Sequence, residues 1–361
     1  MRIERRAAPS RRMQVLSPLL ALVATGLTGA AIFAGLGQPP AAVMYAFFIA
    51  PVRDLYGISE LLLKATPLLL CAVGLSLCFR ARVWNIGAEG QFILGALGGG
   101  VVALACNEFS AGFGWALLGA SVAGMLAGTA WAGIVALLRD RFDCSEILTS
   151  IMLNYIALQL LLWAVHGPLK DPAGFNFPES ALLVEELLLP TLHPDYRVHI
   201  GLPIALLAAA GLWLLMARSL LGFQVRVFGE SARTAGYAGF SSRVLLWFVL
   251  AACGALAGLA GAFEVLGPVG QVTPHLSAGY GFSAIIVVFL GRNHPVGIVL
   301  AGLLFALTFI GGENLQIEFG LPRSITQMFQ GMLLFYLLAA DFLINHRLRL
   351  PGAAPALAGE R

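Results

Sequence analysis

Long apolar runs follow one another through this chain with hardly a charge inside them. A helix needs about 20 mostly apolar residues to cross a bilayer, because lipid offers no partner to an open peptide group. Such runs occupy residues 15–37, 61–79, 92–106, 109–138, 147–165, 200–217, 244–263, 279–290, 296–312 and 325–340. Lys64 lies near one end of its run, where a long stem can carry the ammonium to the headgroups. Hydrophobic residues make up 59% of the 361 positions and Asp, Glu, Lys and Arg only 11%, against roughly 25% charged in soluble domains. A water-soluble globule is excluded. The predicted fold is all-α: a polytopic integral membrane bundle of about ten transmembrane helices, in contact with lipid.

Orientation follows from the arginines, since basic residues in short loops stay on the cytoplasmic side. A cytoplasmic segment 1–14 holds Arg2, Arg5, Arg6, Arg11 and Arg12, and alternate connections hold Arg80 with Arg82, then Arg139 with Arg141. The basic loop 218–243 and Arg292 continue the pattern, and Arg347 and Arg349 open a cytoplasmic tail, 343–361. The opposite side keeps only Arg53, Lys64, Lys170, Arg197 and Arg323. An even number of spans within a single domain, 15–342, leaves both termini inside. The first run follows a basic stretch as a signal peptide would, but its 23 residues exceed the usual core of about 7 to 15, so a retained anchor is expected. The net charge of +3 is a topology signal and carries no nucleic-acid footprint.

Polar groups interrupt the apolar pattern twice. Trp84, Asn85, Glu89 and Gln91 stand with Gly87 and Gly90 between the second and third runs. Non-helical backbone at membrane depth is tolerated only inside protein or along a watery cavity, which makes Glu89 a site candidate. An ordinary cytoplasmic turn, with Glu89 paired to Arg80 or Arg82, fits the residues equally well. The second interruption, 267–275, carries Pro268 and Pro274 among glycines and precludes one straight helix. Helices broken near the centre of a bundle are how transporters build a path. Gly95 with Gly99, Gly124 with Gly128 and Gly254 with Gly258 lie at helical spacing and favour close helix packing.

Several chemistries are missing. The five cysteines show no CxxC spacing and the six histidines no metal-ligand spacing, so no metal site and no catalytic constellation is expected. Lys64 and Lys170 are the only lysines, and neither stands in a GxxxxGK[ST] phosphate loop. If ATP drives this protein, another subunit binds it.

The block Asn85-Ile86-Gly87-Ala88-Glu89-Gly90-Gln91 resembles the NIGxEGQ signature of permease subunits of bacterial ABC importers, in the nucleoside and simple-sugar branch of the branched-chain amino acid and ribose permeases. Residues 144–155 are similar to the family's N-E-V-[IL]-[TS]-[TS]-[IL]-M-L-N-[YW] helix start, with Cys144 and Ser145 departing from its polar opening. Residues 279–282 and 290–295 look like its GYGF and LGxxHP pair. Residues 226–239 resemble its cytoplasmic R-A-x-G-x-[NS]-x-x-A-A-x-x-x-G stretch, with Val227 and Thr234 in place of alanines.

The resemblance implies a permease for a nucleoside or related sugar, without cofactor or enzymatic activity of its own, in the bacterial cytoplasmic (inner) membrane. Its implied partners are an ABC ATPase, a second related permease and a periplasmic or lipoprotein substrate-binding protein touching the external loop 167–199. The stretch 226–239 would be an ATPase coupling helix. Ala232, Ala235 and Gly239 would permit close docking near Gly229, while Arg226, Glu230 and Arg233 set register. Path candidates are Trp84, Asn85, Glu89, Gln91 and Asn154. The alternative is an ion-coupled secondary transporter using Glu89 or Glu264.

Overall fold

The computed structural model describes residues 2–5, 11–108 and 113–349. The expected terminal segments 1–14 and 343–361, and the start of the run 109–138, lie in part outside the described residues. Helices dominate: α1 (Arg11–Gly35), α2 (Pro40–Phe48), α3 (Leu55–Arg80), α4 (Ala88–Glu108), α5 (Phe113–Phe142), α6 (Glu146–His166) and α7 (Gly201–Arg218). After them come α8 (Leu220–Glu230), α9 (Ala232–Tyr237), α10 (Ser242–Glu264), α11 (Tyr280–Leu290), α12 (Pro295–Phe319) and α13 (Ser324–Asn345). Eight of the described helices are long and apolar enough to cross a membrane, and α11 and α13 supply shorter apolar segments. The chain is a multi-pass helical membrane protein.

Two elements differ from the expected runs. α2 was not anticipated: Pro40 sits in its first turn, where a missing N–H costs nothing, and nine residues are too few to span. α10 does not stop at its expected end but passes into a π-helical turn, Val265–Val269, with Pro268 inside it. Gly270, at φ 69°, then ends the helix.

Residue contacts group the chain into two units, 1–50 with 311–361, and 51–310. In the first, α1 lies along α13 around an aromatic cluster, with Phe47 and Phe329 ring centres 4.8 Å apart and Phe33 to Phe329 5.6 Å. Gly29 leaves room for the Phe329 ring, which would otherwise lie 2.2 Å from a Cβ. Residues 2–5 pair antiparallel with 346–349, joining the two ends of the chain.

In the second unit α4, α5 and α10 meet backbone to backbone. A Cβ on Gly95 would lie 2.2 Å from the Gly258 Cα, one on Gly258 2.2 Å from the Gly124 carbonyl oxygen, and one on Gly128 2.3 Å from the Gly254 carbonyl oxygen. The glycine pairs noted in the sequence thus form one three-helix junction. α3 packs on α10, with Gly74 against Cys253.

One end of this unit collects the arginines. Arg82 pairs with Glu230 at 3.4 Å, Arg139 with Glu146 at 3.3 Å and Arg243 with Asp140 at 2.6 Å, while the Arg80 guanidinium donates to the Asn293 carbonyl. Placing a leucine at Gly258 drives a side chain into the backbone of two neighbouring helices, which costs several kcal/mol, well above the roughly 1–3 kcal/mol of ordinary overpacking. Gly258→Leu is expected to yield protein that aggregates on detergent extraction. Size-exclusion chromatography checks this, and Gly236→Leu, at an open position, serves as the tolerated control.

Candidate functional site

The first break lies between α3 and α4. Trp84 to Gly87 leave the helical path, and buried side chains take up the peptide groups this frees. Asn154, on α6, accepts from the Gly90 N–H at 2.9 Å and donates to the Ile86 carbonyl at 2.9 Å. Ser150, one turn earlier on the same helix, accepts from the Ile86 N–H at 3.2 Å. The Asn85 carboxamide accepts from the Gly87 N–H at 2.9 Å and donates to Gln91 Oε1 and to Cys253 Sγ, each at 3.2 Å. Asn85 and Gln91 are fully buried. Four amide and hydroxyl side chains from three places in the sequence therefore hold one short non-helical stretch.

Trp84 is placed differently. It is 43% exposed, stacked on Phe289 at 6.2 Å and tilted on Phe79 at 5.4 Å. This aromatic group closes the arginine-bearing end of α3 and α11.

The second break runs from the π turn to α11, whose 11 residues span about 16 Å, half a hydrocarbon core. The two breaks meet at Glu89. Its Oε2 accepts from the Gly281 N–H at 2.8 Å, and its Oε1 accepts from the Ser277 hydroxyl. Glu89 stands in the first turn of α4 and faces the first turn of α11, so one carboxylate answers the positive ends of two helices. Gly281 is required there, because a Cβ would lie 2.2 Å from the Glu89 nitrogen. Glu264 adds a second acid, accepting from the Tyr280 hydroxyl at 3.3 Å.

The connection 167–199 covers the far side of the second break. The Leu189 N–H donates to the Leu266 carbonyl at 2.7 Å, Leu183 to Gly270 at 2.9 Å and Ser180 to Val272 at 3.0 Å. Arg197 donates to the Pro268 carbonyl at 3.0 Å and pairs with Glu60 of α3 at 3.4 Å. His199 accepts from the Gly201 N–H at 3.0 Å and packs edge-on against Phe263. Burial without a charged partner lowers its pKa to about 4.

At the opposite end, α8 and α9 form a two-step helix interrupted at Ser231, whose hydroxyl caps α9 through the Thr234 N–H at 3.2 Å. Gly229 lies against the end of α3, where a Cβ would be 2.1 Å from the Arg80 carbonyl oxygen, and Ala235 is buried. Arg226, Glu230, Ala232, Arg233 and Gly239 are exposed. A groove of about 410 Å³ beside them is lined by Arg82, Arg139, Asp140, Phe228, Ala232 and Arg243. Among the described residues no group of three or more His, Cys, Asp or Glu side chains is placed to hold a metal ion.

Of the candidates read from sequence, Asn85, Glu89, Gln91 and Asn154 come together around the breaks, and Trp84 lies at the aromatic end. Ser150, Ser277, Arg197 and His199 were missed. Ser277, two residues before the GYGF stretch, and Ser150, inside the stretch 144–155, carried a local signal.

Residues 57–338 match the family described as branched-chain amino acid transport system / permease component. The glucose ABC transporter permease protein TsgB13 of Haloferax volcanii is 34% identical over 342 residues, covering 92% of this chain and 89% of that one. The guanosine ABC transporter permease protein NupP of Bacillus subtilis is 32% identical over 332 residues, covering 90% and 93%. The nucleoside ABC transporter permease protein NupB of Lactococcus lactis is 28% identical over 359 residues, covering 97% of each.

Replacing Asn154 by leucine strands the Gly90 N–H and the Ile86 carbonyl inside protein, at about 1–3 kcal/mol each. Asn154→Leu is expected to lower the thermal midpoint in detergent far more than Tyr155→Leu, on the exposed face of the same helix. His199 makes stability depend on pH. Its folded pKa of about 4 lies below the unfolded value near 6.5, so the unfolded chain binds more protons between those limits. Stability is complete above about pH 6.5 and falls by roughly 3 kcal/mol as pH drops through 4. His199→Gln should flatten that slope in melts taken from pH 7 to 4.

Proposed function

The chain belongs to the branched-chain amino acid transport permease family, as an ABC transporter permease, and we propose that it forms the translocation path for a nucleoside or related simple sugar. The observation carrying this reading is the family match over 57–338 together with full-length relatives named for guanosine, nucleoside and glucose transport. Nucleosides and simple sugars share a hydroxylated ring.

The geometry agrees with that role. Two interrupted helices converge at Glu89, and the half-length α11 leaves a thin barrier. The Glu89 and Glu264 oxygens receive hydrogen-bond donors, which is how a buried carboxylate is anchored. That arrangement gives ion coupling no particular support. Asn85, Gln91 and Asn154 hold the first break in shape, while the exposed face of Trp84 can stack on a base or a sugar ring.

Energy comes from a partner ATPase, because the sequence holds no phosphate loop. The exposed residues of α8 and α9 form its docking surface: Arg226, Glu230, Ala232 and Arg233, with Gly239 following α9. Gly229 and Ala235 fix that surface to the bundle. The arginine-rich end of the second unit faces the cytoplasm and its connection 167–199 lies outside the cytoplasmic membrane, while an even number of spans would leave both chain termini inside. A related second permease completes the path, and a substrate-binding protein supplies it from outside.

Reconstituted with its partner subunits, the chain is expected to drive ATP-dependent uptake of radiolabelled guanosine, other nucleosides or glucose. Changing the phosphate-loop lysine of the ATPase should abolish that uptake, and undiminished transport would end the reading. Arg233→Glu should cut uptake at least fivefold. Because Arg233 is exposed, its thermal midpoint should stay within about 1–2 °C of the parent.

A further inference from the structure

α7 carries a stripe of apolar residues at helical spacing, Leu206, Ala209, Ala210 and Trp213, in which two alanines lie between two large side chains. The alanines leave a trough in the surface of the helix. Val296 and Val299, in the first turns of α12, close its other side, and the groove between the two helices holds about 350 Å³ among apolar side chains. Trp213 is 46% exposed and Val296 61%. Both helices are long and apolar enough to cross a membrane, so the groove opens where the bilayer lies.

Its depth matches one leaflet. From Leu206 to Trp213 the helix rises about 10 Å, and Arg218 ends α7 about 7 Å further on. One leaflet contributes about 15 Å of hydrocarbon. Arg218 therefore stands at headgroup level, just beyond the indole of Trp213, a side chain suited to the boundary between hydrocarbon and water. Arg292 approaches the same rim from α12, preceding Pro295, which also lines the groove. Both arginines are exposed. They belong to the arginine-rich end: the Arg80 guanidinium donates to the Asn293 carbonyl, and Gly229 of α8 abuts the Arg80 carbonyl oxygen.

Charge sets this rim apart from the rest of that end. Arg82, Arg139 and Arg243 each face a carboxylate. The stretches that build the groove carry cations and no acid, since Asp and Glu are absent from 196–229 and from 265–312. Beyond Arg218, Ser219 caps α8, whose first turn exposes Leu220, Leu221 and Phe223. Hydrocarbon walls below, guanidinium groups above and an apolar helix face alongside fit a molecule with an acyl chain and an anionic phosphate.

We propose that the groove between α7 and α12 is a specific site for an anionic glycerophospholipid. One acyl chain lies along Ala210 and Trp213 against Val296 and Val299, and the phosphate accepts from Arg218 and Arg292. The site is separate from the two helix breaks and goes beyond the transport reading, because it requires only that the chain be embedded in lipid.

Trp213 reports on its own occupant. In the full-length chain held in phosphatidylcholine nanodiscs, its emission is the difference between parent and Trp213→Phe. Dibrominated phosphatidylglycerol is expected to quench that emission at a mole fraction about tenfold lower than dibrominated phosphatidylcholine. Arg218→Gln with Arg292→Gln should bring the two lipids to parity, and Arg218→Gln alone, at an exposed helix end, should narrow the preference about threefold. Arg53→Gln, exposed near the opposite end of α3, should leave it unchanged. Equal quenching by both lipids in the parent would overturn the proposal, as would a preference that survives Arg218→Gln intact. Emission that neither lipid quenches would overturn it too, since a protein segment would then cover the groove. A second readout is the lipid carried through purification in mild detergent, counted by mass spectrometry. The parent should retain phosphatidylglycerol, and Ala210→Phe, whose ring fills the trough, should lose it; equal retention by both would sink the assignment.

Discussion

A peptide group that leaves its helix inside a hydrocarbon layer has no water to turn to, and each one left open costs several kcal/mol. This chain leaves the helix twice within its largest unit, and the arrangement around both places follows from that constraint. At the first break the partners are side chains: Asn85 from the break itself, Gln91 from the start of α4, Ser150 and Asn154 from α6. At the second they are mostly backbone groups of the connection 167–199, joined by Arg197. The difference has a reason in sequence. A break of four residues can be served by a few amides, whereas a stretch containing a π turn, two prolines and several glycines exposes more carbonyls than nearby side chains can reach.

Glu89 joins the two solutions. Placed at the start of α4, it would be an ordinary first-turn acid, stabilising one helix dipole by a few tenths of a kcal/mol to about 1 kcal/mol. Because Gly281 lets the end of α11 approach within hydrogen-bond distance, the same charge serves a second helix. The half-helix α11 is thereby fixed at its inner tip by an acid and at its other end by the aromatic group around Phe289 and Trp84.

Much of the fold was legible because its governing signal is local. Uninterrupted apolar length reported the spans, proline and glycine reported the second break, and arginine counts reported which connections share an end. α2 escaped notice because nine residues opening on the second of two prolines resemble a connection more than an element. The site was legible only in part. The polar block 84–91 stood out against its surroundings, but its role depends on Asn154 and Ser150, more than sixty residues away, and no spacing rule links them. Arg197 and His199 were passed over for the same reason: in an extramembrane loop a charged or titratable residue is unremarkable until the backbone it touches is known. The glycine pairs were visible on each helix, yet which helices they join is a property of the assembled bundle.

The junction of α4, α5 and α10 has a consequence for how such a protein can change. Where side chains meet, evolution can retune an interface by small steps, exchanging one rotamer or one methyl group at a time. Here the facing surfaces are bare main chain, with carbonyl oxygens within about 2–3 Å of where any new carbon would sit. A substitution at any of these glycines has no small version, because even a methyl group meets main chain, so this junction can be altered only by moving whole helices.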